Sequence, residues 1–193
     1  MVPKVRLDAL TDGIYAVVMT LLVLDLRVPE GIEITGNADL AAALVGLWPK
    51  LFPYALSFFI LAAGWMSAAS TAHALPERLE RRYTLWWLRQ MFLVTCVPFT
   101  NVLIGRYGAY PLSVALFALN LGLMGVCAYR MLQLMAPEHR NDHYPVRRNG
   151  LIWLMASSGL TLVLSPWLGG DALYALLLNL LEPALQRWRM RHP

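Results

Sequence analysis

The sequence predicts an all-α membrane protein with six transmembrane helices per subunit. Hydrophobic residues make up 58% of the 193 residues and charged residues only 15%, which is more apolar side chain than a soluble domain of this size buries. A spanning helix takes roughly 20 mostly apolar residues, which leaves room for about six spans and no sizeable soluble domain. Residues 1–193 are therefore expected to form a single transmembrane domain.

Six apolar segments follow one another along the chain. Each is expected to be a helix, because a segment in hydrocarbon must satisfy its own backbone polar groups, and the alternation that a membrane barrel needs is absent. The predicted spans cover about 9–28, 51–74, 84–105, 111–134, 149–167 and 171–186. Residues 37–48 form either a short interfacial helix or an early start of the second span.

The basic residues lie in short stretches between the apolar segments, which indicates membrane topology rather than nucleic-acid binding. With the N-terminus in the cytoplasm, 13 of the 16 basic residues fall on the inner side, and Arg27, Lys50 and Arg106 fall on the outer side. Cytoplasmic loops are enriched in Lys and Arg, so the expected topology is multi-pass with both termini cytoplasmic.

The first segment differs from the other five. Only the uncharged residues Gly13 to Leu24 separate Asp12 from Asp25, and their length of roughly 18 Å is short of a hydrocarbon core of about 30 Å. Charges at membrane depth usually face a bundle interior or a water-filled path. This helix is therefore a candidate for the centre of an assembly.

One face of that helix has the composition of a pore constriction. It carries Gly13, Val17, Thr20, Leu21 and Leu24. Around a symmetry axis, its aliphatic residues would form narrow rings that gate by dewetting, with the threonine hydroxyls just off the axis. The alternative is ordinary packing or lipid contact. The sequence has no evident internal repeat, so a pore with rotational symmetry needs several copies of the chain.

The start of the chain resembles a family signature, RxxxFSD followed by an apolar helix. Arg6 and Asp12 match it, while Leu10 replaces the phenylalanine and Thr11 the serine. The stretch LFPYALSFFILAAGW resembles the second span of the same family, and LWWLRQMFLVTCVPFTNVLIGRYG resembles the third. The family is the transmembrane protein 175 family of endolysosomal and bacterial potassium channels.

Two positions depart from the family pattern. A histidine often follows the second-span tryptophan, but Ser67, Ala68 and Ala69 follow Trp65 here. An asparagine is often seen in the third span where this chain has Arg89. These departures concern the hydrogen-bond network around the signature more than the pore.

The resemblance implies a homotetrameric, potassium-selective channel in a bacterial plasma membrane, with the first helix of each subunit lining a central pore. By position, the constriction falls on Val17, Leu21 and Leu24, and the polar layer on Thr20. The implied partners are potassium ions and the lipid bilayer, with no cofactor and no resident metal. The sequence has no TVGYG-like loop, so selectivity is expected to be modest.

The charged residues of the first segment leave two questions open. Arg6 and Asp12 lie about 120° apart on a continuous helix, so partners on neighbouring helices are expected. The two residues are expected to lock the first helix to its neighbours or to the next subunit, rather than to gate directly. Asp25 is expected at the outer mouth, either as a solvated helix-end carboxylate or as a group that attracts cations.

Other function classes have weaker support. A secondary transporter of a small cation or solute is the alternative, although it predicts internal repeats and broken helices, and a membrane enzyme predicts a convergent polar cluster. The spacing of His139 and His143 suits two ligands on one helix face, but Arg140 and Pro145 nearby favour a solvated loop. Most of the seven tryptophans lie near span ends, where interfacial anchoring accounts for them.

Overall fold

The structure is a computed structural model that describes residues 2–28, 33–72, 75–135 and 144–177. Its α-helices are α1 (Lys4–Leu22), α2 (Asn37–Val45), α3 (Trp48–Ala72), α4 (Arg81–Tyr107), α5 (Pro111–Gln133) and α6 (Tyr144–Leu168). The 3₁₀ turn Val23–Asp25 extends α1, and the 3₁₀ segment Gly169–Leu177 follows α6. Within these ranges, 5 helical stretches are long and apolar enough to cross a membrane. The chain is a multi-pass membrane protein.

The five long helices overlap the first five predicted spans. Helix α1 begins at Lys4, five residues before the predicted start at residue 9, so the signature forms its first turns. An ion pair of 3.3 Å between Lys4 and Asp8 supports this polar start. The part of the sixth predicted span that the structure describes, 171–177, lies in the 3₁₀ segment, and the rest lies outside the described residues.

A small antiparallel pairing departs from the all-helical prediction. Strand β1 (Val2–Pro3) pairs with β2 (Arg78–Leu79), with Val2 opposite Leu79 and Pro3 opposite Arg78. Two-residue strands are too short to leave a periodic sequence pattern. The pairing fixes the start of α1 beside the start of α4.

Helix α2 is separated from the second long helix by a turn at Gly46 and Leu47, so residues 37–48 are not simply an early start of that span. Oδ2 of Asp39 accepts hydrogen bonds from the Thr35 hydroxyl at 2.7 Å and from the backbone N–H groups of Thr35 and Gly36 at 3.0 and 3.1 Å. These bonds, with that of the hydroxyl the strongest, lower the pKa of the Asp39 carboxyl. The helix start is thus held by its own third residue.

Helices α1, α3 and α4 contact one another, and α5 and α6 follow α4 in order. Helix α1 contacts α3 and α4, α4 packs on α5, α5 packs on α6, and α6 contacts the 3₁₀ segment. Val114, Phe117 and Leu121 on α5 are completely buried at the centre. A Cβ added to Gly122 would lie 3.3 Å from Cβ of Ser158 on α6, so a small residue allows this close helix contact.

One end of the bundle is strongly basic. The starts of α1, α4 and α6 and the end of α5 lie there, because the β1–β2 pairing and the antiparallel packing bring them together. Among the described residues, the basic residues of that end are Lys4, Arg6, Arg78, Arg81, Arg82, Arg89, Arg130, Arg147 and Arg148. The opposite end carries Arg27, Lys50 and Arg106. The positions of the basic residues follow the asymmetry that the sequence pattern predicts.

Candidate functional site: the first helix and its anchors

Helix α1 has one buried face and one uncovered face. The buried residues recur every three or four positions and are Leu7, Thr11, Tyr15, Val18 and Leu22. The predicted constriction residues lie elsewhere on the helix, and in the single chain Val17 is 56% exposed, Leu21 44% and Leu24 53%. Gly13 and Thr20 are exposed as well. The predicted pore residues therefore all lie on surface that this chain does not cover.

Thr11 connects α1 to α4. Its hydroxyl donates to the Leu7 carbonyl at 2.8 Å and accepts a hydrogen bond from the indole N–H of Trp87 at 2.9 Å. Thr11 and Trp87 are only 7% and 8% exposed, so both polar groups are buried and satisfied by one another. Thr11 stands where the family pattern has serine, and it keeps the hydroxyl that accepts the hydrogen bond from Trp87.

Asp12 connects α1 to α3. Its Oδ1 accepts a hydrogen bond from the indole N–H of Trp65 at 2.8 Å. The expected partner on a neighbouring helix is therefore found for Asp12. Interfacial anchoring does not account for Trp65 or Trp87, whose N–H groups bind the signature instead. In the sequence, the signal for these contacts is the pair of adjacent polar residues Thr11 and Asp12 in a membrane-spanning helix, because polar groups at that depth need hydrogen-bond partners.

The other two signature residues do not take part in these contacts. Arg6 and Leu10 are exposed, and among the described residues no hydrogen bond or ion pair involves the Arg6 guanidinium. The expectation of a neighbouring-helix partner for Arg6 is thus wrong within the single chain. In the part of the chain that the structure describes, Arg6 lacks such a partner because it lies on the exposed side of α1, away from the face that packs on α3 and α4.

Asp25 anchors the other end of α1. Its side chain is 9% exposed, and its Oδ1 lies 3.7 Å from Nη2 of Arg106 at the end of α4. A Cβ on Gly105 would approach Oδ2 of Asp25 to 3.0 Å, so glycine at that position leaves room for the carboxylate. The expectation of a solvated carboxylate is therefore wrong, because α4 covers this side chain.

The local geometry around Thr20 suits contact with a cation. Its hydroxyl donates to the Val17 carbonyl at 2.8 Å, so the lone pairs of the hydroxyl oxygen remain available on an exposed face. Helix α1 tightens to a 3₁₀ turn at Val23–Asp25.

The departures from the family pattern have local partners of their own. The Ser67 carbonyl accepts hydrogen bonds from the hydroxyls of Ser70 and Thr71. The Arg89 guanidinium stacks on Trp86, 4.6 Å from the ring centroid. The Arg147 guanidinium, expected in a loop, lies in the first turn of α6 and donates to the Thr71 hydroxyl on α3.

The described residues contain no cluster of three or more side chains suited to a metal ion. The histidine pair His139 and His143 lies outside the described residues, as do His73 and His192. The site is therefore built from hydroxyl, carboxylate, indole and aliphatic groups.

A comparison with protein families matches the part of the chain that contains these residues. The model of the family described as "Endosomal/lysosomal potassium channel TMEM175" matches residues 6–98. The match spans just under half of the chain and shows that this stretch is similar to the TMEM175 family. The matched stretch contains the whole uncovered face of α1 and both tryptophans that hold it.

The curated relatives that this chain resembles are named as potassium channels rather than enzymes. A potassium channel of Chamaesiphon minutus is 28% identical over 150 residues, which cover 71% of this chain and 73% of that protein. A potassium channel of Streptomyces collinus is 28% identical over 102 residues, or 53% of this chain and 48% of that protein.

A solved structure shares the fold of this chain. It is the crystal structure of a lysosomal potassium-selective channel TMEM175 homolog from Chamaesiphon minutus, with a TM-score of 0.77 and 22% identity. The match covers 95% of this chain and 97% of the other. The TMEM175 fold therefore extends beyond the stretch that the family model matches.

Proposed function

We propose that this chain is the subunit of a homotetrameric, potassium-selective cation channel in a bacterial plasma membrane, with both termini in the cytoplasm. Val17, Leu21 and Leu24 of each subunit form a hydrophobic constriction around the central axis, and Thr20 supplies a polar layer between them. The match of residues 6–98 to the TMEM175 family model and the similarity to proteins named as potassium channels support this function class.

The uncovered face of α1 is the observation that carries the proposal. Large lipid-facing residues occur on every long helix, but this face also carries Gly13 and Thr20 and begins beside Asp12. A carboxylate is costly against lipid and favourable against a water-filled path, and the Thr20 hydroxyl adds a polar group to the face itself. The helix is held from its opposite side, so the face is free to meet copies of itself.

The anchors give α1 a fixed direction. Thr11 and Asp12 hold one end to α4 and α3, and Asp25 holds the other end to α4. In this proposal the signature is structural, because it sets the orientation of the helix rather than contacting ions. Arg6 and Leu10 remain free to contact the neighbouring subunit.

The constriction limits both rate and selectivity. Aliphatic rings favour dewetting, so an ion crosses only when the rings move apart or when it sheds part of its hydration shell. Potassium loses water more readily than sodium, and Thr20 oxygens replace part of that shell. Selectivity is then modest.

Potassium flux into liposomes tests the channel function. Purified protein in vesicles is expected to pass potassium down its gradient with no counter-substrate. Under the same conditions, the sodium flux is expected to be slower than the potassium flux. Vesicles without protein set the background. Flux that requires exchange for a second solute would support a transporter, and no flux above background would exclude the channel.

A further inference from the structure

A groove at the basic end of the bundle has a composition unrelated to the pore. It lies between α4 and α5, has a volume of about 350 Å³ and opens to the surface of the chain. Its lining residues are Arg82, Leu85, Trp86, Arg89, Arg130, Gln133 and Leu134. On α4 these residues are spaced by three and four, as they are on α5, so each helix contributes one continuous face.

Three guanidinium groups share this groove. Arg82, Arg89 and Arg130 are all exposed, and none of the described residues that line the groove is acidic. The side-chain partner that the structure gives Arg130 is Gln133, whose Oε1 lies 3.3 Å from Nη1. Like charges gathered in one groove repel one another, so an anion is the ligand that this charge distribution favours.

The groove also has an apolar side. Leu85 is 44% exposed and Leu134 is 42% exposed, and both lie beside the guanidinium groups. Trp86 holds Arg89 through a cation–π contact at 4.6 Å, which keeps the guanidinium at the groove and leaves the indole among apolar neighbours. A cationic side next to an apolar side matches a molecule that has an anionic head and a hydrocarbon tail.

We propose that this groove binds an anionic phospholipid, with the phosphate against Arg82, Arg89 and Arg130 and an acyl chain along Leu85 and Leu134. The location fits, because the ends of α4 and α5 that form the groove belong to the basic end of a membrane-spanning bundle, where headgroups lie. Basic grooves between spanning helices are a recurrent form of lipid headgroup site. The ligand is a structural lipid, bound between α4 and α5 at residues that, within the described part of the chain, make no hydrogen bond or ion pair with α1.

Native mass spectrometry of the purified protein tests this binding. We expect more bound phosphatidylglycerol than phosphatidylcholine of the same acyl chains at equal lipid concentration. Each substitution Arg82→Gln, Arg89→Gln or Arg130→Gln is expected to weaken phosphatidylglycerol binding about fivefold, since one arginine near an anionic surface contributes about that factor. The substitutions Arg81→Gln and Arg148→Gln remove the same charge from the same end outside the groove, and they are expected to leave binding unchanged.

Several outcomes would overturn the proposal. The first is equal binding of the two lipids, and the second is an equal loss of phosphatidylglycerol binding in the groove variants and the control variants. The third is displacement of phosphatidylglycerol by millimolar inorganic phosphate, which would indicate a phosphate site rather than a lipid site. Size-exclusion elution and far-UV circular dichroism identify variants that fail to fold. For any such position, the Arg→Lys variant keeps the charge and is expected to retain most of the binding. The readout is lipid mass, so the result is independent of ion conduction.

Discussion

The indole N–H of Trp65 on α3 donates to Oδ1 of Asp12 on α1 across 2.8 Å. The two residues are 53 positions apart in the chain, and the contact joins the acidic end of the signature to the second long helix. A hydrogen bond to a charged acceptor is shorter and stronger than one between neutral groups. The orientation of α1 depends in part on this bond.

Replacing Trp65 with phenylalanine removes the donor and keeps most of the ring. We expect Trp65→Phe to lower the free energy of unfolding by about 1–2 kcal/mol, near the value for a hydrogen bond to a charged group. In a double-mutant cycle with Asp12→Ala, the two losses are expected to be non-additive by about 1 kcal/mol. Trp153→Phe is a matched control, because Trp153 is 40% exposed and Trp65 is 41% exposed. Additive losses at Trp65 and Asp12 would show that the bond contributes nothing.

Thr11 provides a test of the buried half of the signature. Thr11→Val removes the acceptor for the Trp87 indole and leaves a buried N–H unsatisfied, which costs about 1–3 kcal/mol. Thr11→Ser restores the family residue and keeps the hydroxyl, so it is expected to be close to the unchanged protein in stability. Thermal unfolding in detergent compares the two variants. If Thr11→Val and Thr11→Ser are equally stable, the hydrogen bond has no structural role.

The ion pair at the opposite end gives a separate prediction. Asp25→Asn removes a largely buried carboxylate charge next to Arg106, and we expect a loss of about 1 kcal/mol because the guanidinium itself is 61% exposed and partly solvated. Asp171→Asn makes the same change at an exposed acid and is expected to have little effect. Equal unfolding temperatures for the Asp25 and Asp171 variants would contradict this account.

Helix α5 depends on small residues where it meets α6. Alanine is favoured over glycine inside a helix by roughly 0.5–1 kcal/mol, so Gly159→Ala, where nothing lies within 4 Å of the new Cβ, is expected to raise stability. Gly122→Ala brings its Cβ to 3.3 Å from Ser158, and the crowding is expected to cancel that gain or reverse it. Unfolding measurements on the two variants check the difference. An equal gain in stability at both positions would show that the α5–α6 contact accommodates a methyl group at Gly122 without crowding.

The sequence predicted the helices better than their contacts. Length and hydropathy locate α1 and α3–α6, because apolar runs of spanning length leave few alternatives in lipid. The same pattern does not show that Trp65 and Trp87 donate to the signature, since a tryptophan near a span end has equal reason to be an interfacial anchor.

The ends of the first helix were also misjudged from sequence alone. Asp25 was expected in solvent, but its exposure depends on where α4 ends and on Gly105, which only the packed structure supplies. The face of Val17, Leu21 and Leu24 follows from helical spacing alone. Its role as a pore lining depends on copies of the chain and stays a prediction.

Potassium flux through liposomes that contain Val17→Ser, compared with the matched variant Val163→Ser, tests the pore assignment most directly. Val17 is 56% exposed on α1 and Val163 is 61% exposed on α6, so the same chemical change is made at two similarly uncovered positions. The account predicts that Val17→Ser wets the constriction, raises potassium flux severalfold and lowers the preference over sodium, while Val163→Ser leaves both unchanged. If Val17→Ser also leaves flux and ion preference unchanged, this face of α1 does not line the pore.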